Sequence, residues 1–406
     1  MHPAVRRLER IPPEIWQEII AFACTDGGAT GRSIALTCRF FREQSLHVRF
    51  TSLSFKNTTR LLVFLVSLRV QPKDCKPRIQ HVALEPSLYT GHIPRALRHL
   101  AGNPQPGQEV DPVDLCANAV EALFSLAARQ LRTLCLVANA SSAVPFRYFV
   151  HAFPKLEELS AWNHPLCPPP ATGAHEYPPG HAHAHTLPGS PFASPGSPGG
   201  ARGMDTDDRQ EAGVLLPAMK RFHYVLTEPG MSFKNVLASL PALASHKLTH
   251  LRLSGLTSAD EDVPRILADI LGVPAPMPLR ERVRLGITGS SGPQSHSPLD
   301  TSGARFPNLR HVVLYAIQPG RDDMQSFPRW ATLLGLLREL ERTCKRVVGM
   351  RMVVLERSWM RKSRWATRLK DDWLQRMEGG RGCWVESEVE ESIIEGPLEA
   401  PKGVEW

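Results

Sequence analysis

The sequence has no long hydrophobic run: no stretch reaches the roughly 18 apolar residues that a membrane-spanning helix needs. It also lacks any C-x-x-C pair. Its eight cysteines, at positions 24, 38, 75, 116, 135, 167, 344 and 383, are scattered, several of them on apolar faces. That excludes a C-x-x-C zinc or redox motif and reads as reduced, buried thiols of a cytoplasmic or nuclear protein. No signal-peptide core lies between Met1 and the first patterned stretch. G-x-S-x-G, H-E-x-x-H and the kinase signatures are missing. Gly27 to Ser33 is glycine-rich, but Asp26 and Arg32 stand where a phosphate loop needs Gly and Lys, and no strand precedes them. With no catalytic or cofactor signature, the chain reads as non-enzymatic. His181, His183 and His185, with His175 nearby, fall in the stretch richest in proline and glycine, with no preorganised second shell. No metal site is therefore assigned to them.

What is present is a chain of 406 residues, 42% apolar and 22% charged, enough for one large or two modest soluble domains. Its formal net charge of +8 raises the question of nucleic acid, but the distribution argues against it. Residues 341–385 hold twelve Lys/Arg against five Asp/Glu, and residues 386–406 hold seven Glu and one Lys. A basic segment followed by an acidic tail can neutralise itself, and no zinc finger, RNA-recognition signature or heptad-linked basic region accompanies it.

The chain is organised around residues 11–50. Ile11-Pro12-Pro13-Glu14 opens a helix, because proline fixes φ and lacks the N–H that a first turn leaves unpaired. Glu14 complements the helix dipole there. Ile15, Ile19 and Phe22 follow at helical spacing, with Trp16 and Ile20 one step round. Gly27, Gly28 and Gly31 break the chain. Ile34, Leu36, Cys38, Phe40, Phe41 and Leu46 then resume an apolar helical pattern. A unit of about 40 residues rarely buries so much apolar surface by itself, so it is expected to dock on something.

These residues resemble an F-box, the short helical module that anchors a substrate receptor to a cullin–RING (SCF-type) ubiquitin ligase. The family opening, Leu-Pro-x-Glu, matches Ile11, Pro12 and Glu14, and its apolar positions in helix one match Ile15 and Ile19. The later pattern, roughly Val-Cys-Lys-x-Trp, matches Thr37-Cys38-Arg39-Phe40-Phe41, with Thr for Val, Arg for Lys and Phe for Trp. In the middle the chain departs: Thr25 to Gly31 replaces the usual Asp-Leu start of the second helix. The resemblance is to the F-box proteins of mushroom-forming fungi in particular. It implies a three-helix module over 8–50 docked on the Skp adaptor, and through it on a cullin. Ile11, Pro12, Glu14, Ile15, Ile19, Leu36, Cys38 and Phe41 are the partner-binding residues it implies.

Beyond residue 50 the pattern changes period. Leu131-x-x-Leu134-x-Leu136-x-x-Asn139 fits the leucine-rich-repeat template at every fixed position. Alternate leucines of one short strand face the core, and the Asn side chain bonds backbone where the chain leaves the sheet. Degraded copies begin at Leu156, Met219, Leu248, Leu309 and Met350, and strand-like runs begin at Phe50 and Ile79. Phe153-Pro154, Leu216-Pro217 and Phe306-Pro307 introduce three of the copies alike. A helix capped by Asn57 carries Leu61, Leu62, Leu65 and Leu68, and another starts at Asp111-Pro112. Further helices are expected over 232–240, 262–271, 328–343 and 363–377. The last bears Trp365, Leu369, Trp373 and Met377 at four-residue spacing, a stripe expected to cap the open end of a repeat array.

The fold expected is α/β: a three-helix F-box, then an irregular leucine-rich-repeat-like solenoid in two parts, 51–162 and 214–385, with a disordered insertion over 163–213 and an acidic tail over 386–406. The insertion holds ten prolines and six glycines between 165 and 200 and cannot form a core. Ser190-Pro191, Ser194-Pro195 and Ser197-Pro198 lie in it, and Ser297-Pro298 lies in a second polar loop over 287–304. The function expected is that of a substrate adaptor of an SCF-type ligase, with the repeat domain holding an unidentified target protein. No catalytic residue, cofactor, metal, nucleic acid or membrane is involved. The alternative is a repeat-domain scaffold with no ligase attached.

Overall fold

The computed structural model describes residues 11–70, 77–85, 112–137, 152–163, 215–227, 232–285, 304–320, 323–347, 349–357 and 362–384. Apart from Asn163, the Pro/Gly-rich insertion with its histidine run and Ser-Pro steps lies outside them, as do Asn139, Ser297-Pro298 and the acidic tail.

The described residues begin with three helices, α1 (Pro13–Ala23), α2 (Ala29–Thr37) and α3 (Arg39–Gln44). Proline occupies the first position of α1, and the Ile15 N–H reaches the Pro12 carbonyl at 3.1 Å. The start of α2, where the sequence departs from the F-box pattern, is held by Asp26. Its carboxylate accepts the Thr30 N–H at 2.8 Å and the Thr30 hydroxyl at 2.7 Å. Gly28 adopts φ 97°, which a side chain would strain. A Cβ on Gly31 would stand 2.5 Å from the Arg49 carbonyl oxygen, so glycine there lets α2 approach the end of the module. Ile20, Cys24 and Val48 form a small core of their own, with Ile34 and Phe41 packed on it.

The alternating apolar runs then form β1 (Ser52–Phe55), β2 (His81–Leu84), β3 (Thr133–Val137), β4 (Glu158–Trp162), β5 (Arg221–Val225), β6 (His250–Leu256), β7 (His311–Ile317) and β8 (Arg351–Arg357). They make one parallel eight-stranded open sheet in sequence order. Every expected strand is present, beginning one or two residues after its expected start. The register brings the patterned apolar residues into rows across the sheet. Leu53, Val82, Leu134, Leu159, Phe222, Leu251, Val312 and Met352 are successive partners in one such row. The edge strand β1 is met by the N-terminal module: the Ser54 N–H donates to the Gly27 carbonyl at 3.1 Å, and the Gly27 N–H to Ser52 Oγ at 3.2 Å.

Helices α4 (Thr58–Arg69), α5 (Pro112–Ala127), α6 (Phe233–Leu243), α7 (Val263–Leu271) and α9 (Phe327–Cys344) cover one face of the sheet and share its continuous apolar core. A short α8 (Leu279–Arg284), which the sequence pattern does not reveal, follows α7. Asn57 caps α4 as expected, accepting the Arg60 N–H at 2.9 Å. The buried Asp260 accepts the Thr257 N–H at 3.0 Å and the Phe233 N–H at 3.3 Å, tying the loop after β6 to the start of α6; burial raises its carboxyl pKa.

Where β4 ends, the Asn163 side chain bonds the segment that leaves β5. At φ 49°, its Oδ1 accepts the Thr227 N–H at 2.7 Å, and its Nδ2 donates to Thr227 Oγ1 at 3.0 Å. Two strands further, in β6, Gly255 sits at φ 106°, and a methyl group there would overlap the Leu226 carbonyl oxygen. Gly255→Ala is expected to cost about 2–5 kcal/mol, because both the backbone conformation and the spacing of β5 and β6 must give. Gly335 in α9 has open space around its Cβ position. Gly335→Ala is therefore the control, expected to stabilise by about 0.5–1 kcal/mol. Urea unfolding of the two variants measures both.

The final helix, α10 (Lys362–Met377), corrects an expectation. Its stripe does not cap the end of the sheet beyond β8. It crosses the face opposite α4–α9, where Trp365, Leu369 and Trp373 are buried with Cys135, Val137, Trp162, Val225 and Tyr315. The physical reason is that the strands are apolar on both faces in their C-terminal halves. A parallel sheet of this kind needs cover on each side, and the stripe supplies it.

Candidate functional site

Helix α1 has two apolar sides. Ile20, only 1% exposed, and Cys24 turn inward, where burial pushes the Cys24 thiol up to about 11. Ile15, Ile19 and Phe22 are 46%, 49% and 86% exposed. Their spacing of four and three residues puts them on one side of the helix. Ile11, Pro12 and Glu14 are exposed just before them. On α2, Leu36 is 68% exposed, and Cys38 is exposed at the junction with α3. Isolated exposed apolar residues are ordinary; on α1, isoleucine, isoleucine and phenylalanine together form an apolar side that faces water, and Leu36 of α2 is exposed as well.

Seven of the eight residues singled out from the sequence are thus accessible: Ile11, Pro12, Glu14, Ile15, Ile19, Leu36 and Cys38. Phe41 is placed differently. It is half-buried in the module, its ring 5.0 Å from Trp16 in an edge-to-face pair, so it holds α3 against α1. Phe22 is the residue that the sequence reading left out of the site. Its place at i+7 from Ile15 was the signal that includes it.

A second concentration of side chains lies between the sheet and α10. The strand row nearest the N-terminal ends runs Ser52, His81, Thr133, Glu158, Arg221, His250, His311, Arg351. It is polar throughout, where the rows beneath α4–α9 are apolar. Glu158 is buried and faces three cations or donors. Arg376 Nε lies 3.3 Å from it, Trp384 Nε1 donates to it at 3.3 Å, and Arg221 lies 3.6 Å away. Trp373 Nε1 donates to Thr133 Oγ1 at 3.1 Å. The wholly buried Arg252 donates to the Cys383 carbonyl and to Ser254 Oγ, the latter at 3.1 Å. The Trp384 ring meets His250 at 5.3 Å and His223 at 6.5 Å. Sequence reading missed this row because its residue types are those of a solvated strand face.

His81, His223 and His250 are held neutral. Burial, then Arg132, lowers the His81 pKa to about 4; burial, then Arg221 and His311, lowers that of His250 to about 4. His223 is lowered well below its usual value by burial and then Arg252. Between pH 6.5 and about 4 the unfolded chain therefore binds protons that the folded chain refuses. Stability is expected to fall as pH drops through that window, by at most about 1.4 kcal/mol per pH unit for each histidine. Asp260, with its raised pKa, opposes this weakly at the acid end. Thermal unfolding at pH 7, 5.5 and 4.5, compared with a His81→Gln, His250→Asn variant of flatter slope, checks the sign.

Among the described residues no cluster of three or more His, Cys, Asp or Glu is placed to hold a metal ion, and no helix is long and apolar enough to cross a membrane. No family model matches the chain, and no curated protein matches it.

Proposed function

We propose that the chain is a non-catalytic substrate receptor of an SCF-type, cullin–RING ubiquitin ligase. In this reading α1–α3 are an F-box that docks on the Skp adaptor, and the α/β body is a leucine-rich-repeat-like solenoid that holds a target protein. The observation that carries it is the exposed side of α1, Ile15, Ile19 and Phe22, on a helix whose other side is already satisfied by the module's own core. The ligase supplies the chemistry. This chain supplies proximity, raising the effective concentration of the target at the ubiquitin-loaded enzyme. Strand order, the rows of stacked apolar residues and the Asn163 side chain at the exit of β4 support the repeat reading.

One observation favours the alternative of a scaffold without a ligase. The Gly27 turn covers the free edge of β1, which is what an N-terminal cap of a repeat array does. A cap needs only the inner side of the module. Co-expression of the full chain with the Skp adaptor separates the two: a stoichiometric complex is the expected outcome, and a chain that elutes alone at micromolar concentration supports the scaffold.

A further inference from the structure

The two faces of the sheet are covered in different ways. The face under α4–α9 is closed by apolar rows and forms a complete core of its own. The opposite face meets α10 through a mixture. Trp365, Leu369 and Trp373 are buried on it, but so are the charged Glu158, Asp372 and Arg252. A permanent core gains nothing from such charges, since an apolar set of the same volume is as stable or more so. A recognition surface does gain, because charge partners fix register and reject wrong ligands. Only a small part of the segment that covers this face is apolar: α10 carries Arg364, Arg368, Lys370, Asp371, Asp372 and Arg376 around its stripe.

We propose that the face opposite α4–α9 is the target-binding surface and that α10 with Cys383–Trp384 is its resident occupant. The target is an amphipathic helix with the same pattern, large apolar side chains at i, i+4 and i+8 and a guanidinium at i+11. Those positions are filled here by Trp365, Leu369, Trp373 and Arg376. The features that read it are named on the face. Thr133 Oγ1 accepts from the indole at i+8, the Glu158 carboxylate accepts from the guanidinium, and Tyr315 receives the aromatic ring at i, at 5.2 Å. The inference rests on the receptor reading for the role of the partner. It makes the receptor self-occupied until a better helix displaces its own.

The test uses the full chain and a fluorescent synthetic peptide of residues 362–384. A W373A/R376E chain, in which the occupant is loosened and the face untouched, is expected to bind the peptide at least about tenfold more tightly than the wild-type chain does, because a larger fraction of faces is open. A peptide carrying the same two substitutions is expected to bind neither. Hydrogen exchange on the wild-type chain gives a second reading without any variant: amides of 365–377 are expected to exchange by a local opening, well before those of 133–137 and 158–162. A folded variant that does not bind the peptide overturns the proposal. So does a variant that loses its cooperative transition altogether, and so does protection of α10 equal to that of the central strands. Adaptor capture is separate: a chain that binds the peptide but no adaptor keeps the surface and loses the ligase reading, and the reverse result does the opposite.

Discussion

Truncation after Arg357 is expected to lower the stability of the chain by several kcal/mol. Trp365, Leu369, Trp373 and Trp384 are all buried. Burying side chains of this size contributes about 1.5–3 kcal/mol each, so the four together give about 6–12 kcal/mol as an upper bound, given that the denatured chain is itself partly collapsed. That is comparable to the whole stability of an ordinary domain. The location of the effect is as informative as its size. The stripe lies over β3, β4 and β7, with Leu369 against Cys135 and Trp373 on Thr133. Faster amide exchange is therefore expected first in 81–84, 133–137, 158–162 and 311–317, while 13–23 and α9 are spared. An end cap, which the stripe's spacing alone suggests, would give the earliest loss in 309–317 and 328–343 and leave 133–137 and 158–162 unchanged. Exchange that rises first in 328–343, with 133–137 and 158–162 unchanged, would contradict the packing described.

Ile15→Asp with Ile19→Asp is expected to abolish capture of the Skp adaptor without unfolding the module. Both side chains are about half exposed, and substitutions at such positions usually change stability by no more than about 0.5 kcal/mol. On a docked surface the two carboxylates lose their water with no partner, at a cost on the order of 3 kcal/mol or more, which is over a hundredfold in affinity. Ile20→Ala is the contrast, since it removes buried volume from the module's own core and is expected to cost about 2–5 kcal/mol of local stability. Calorimetric titration of adaptor into each variant, beside its melting curve, separates the two effects. A double variant that still captures the adaptor undiminished removes the basis for the F-box assignment.

The strands were legible because the repeat spacing states their physics directly. Leu131-x-x-Leu134-x-Leu136 must place Leu134 and Leu136 on one face, and the register stacks them on Val82 and Leu84. The exposed side of α1 was legible for a similar reason, since Ile15 and Ile19 are surplus once Ile20 and Cys24 have filled the small core. The destination of α10 was not legible. A stripe of Trp365, Leu369 and Trp373 says that a face is buried and nothing about which surface buries it, because apolar attraction is non-directional. The polar row from His81 to Arg351 was hidden for the converse reason. Histidine, threonine, glutamate and arginine on the strands read as a wet face, and only the fold shows that Trp373, Arg376 and Trp384 cover Thr133 and Glu158 in its middle. Phe41 shows the same limit at the level of one residue: its place in a motif predicted a partner contact, and its neighbours Trp16 and Phe40 in space keep it half inside.

Docking through the α1 side is the claim on which the functional account depends, and one measurement reaches it directly. Hydrogen exchange of the full chain is followed with and without saturating Skp adaptor. The account predicts new protection confined to 13–23 and the 34–41 region, with the strands and α10 unchanged. Protection on 133–162 or 362–384 instead, or none anywhere at saturating adaptor, would contradict it.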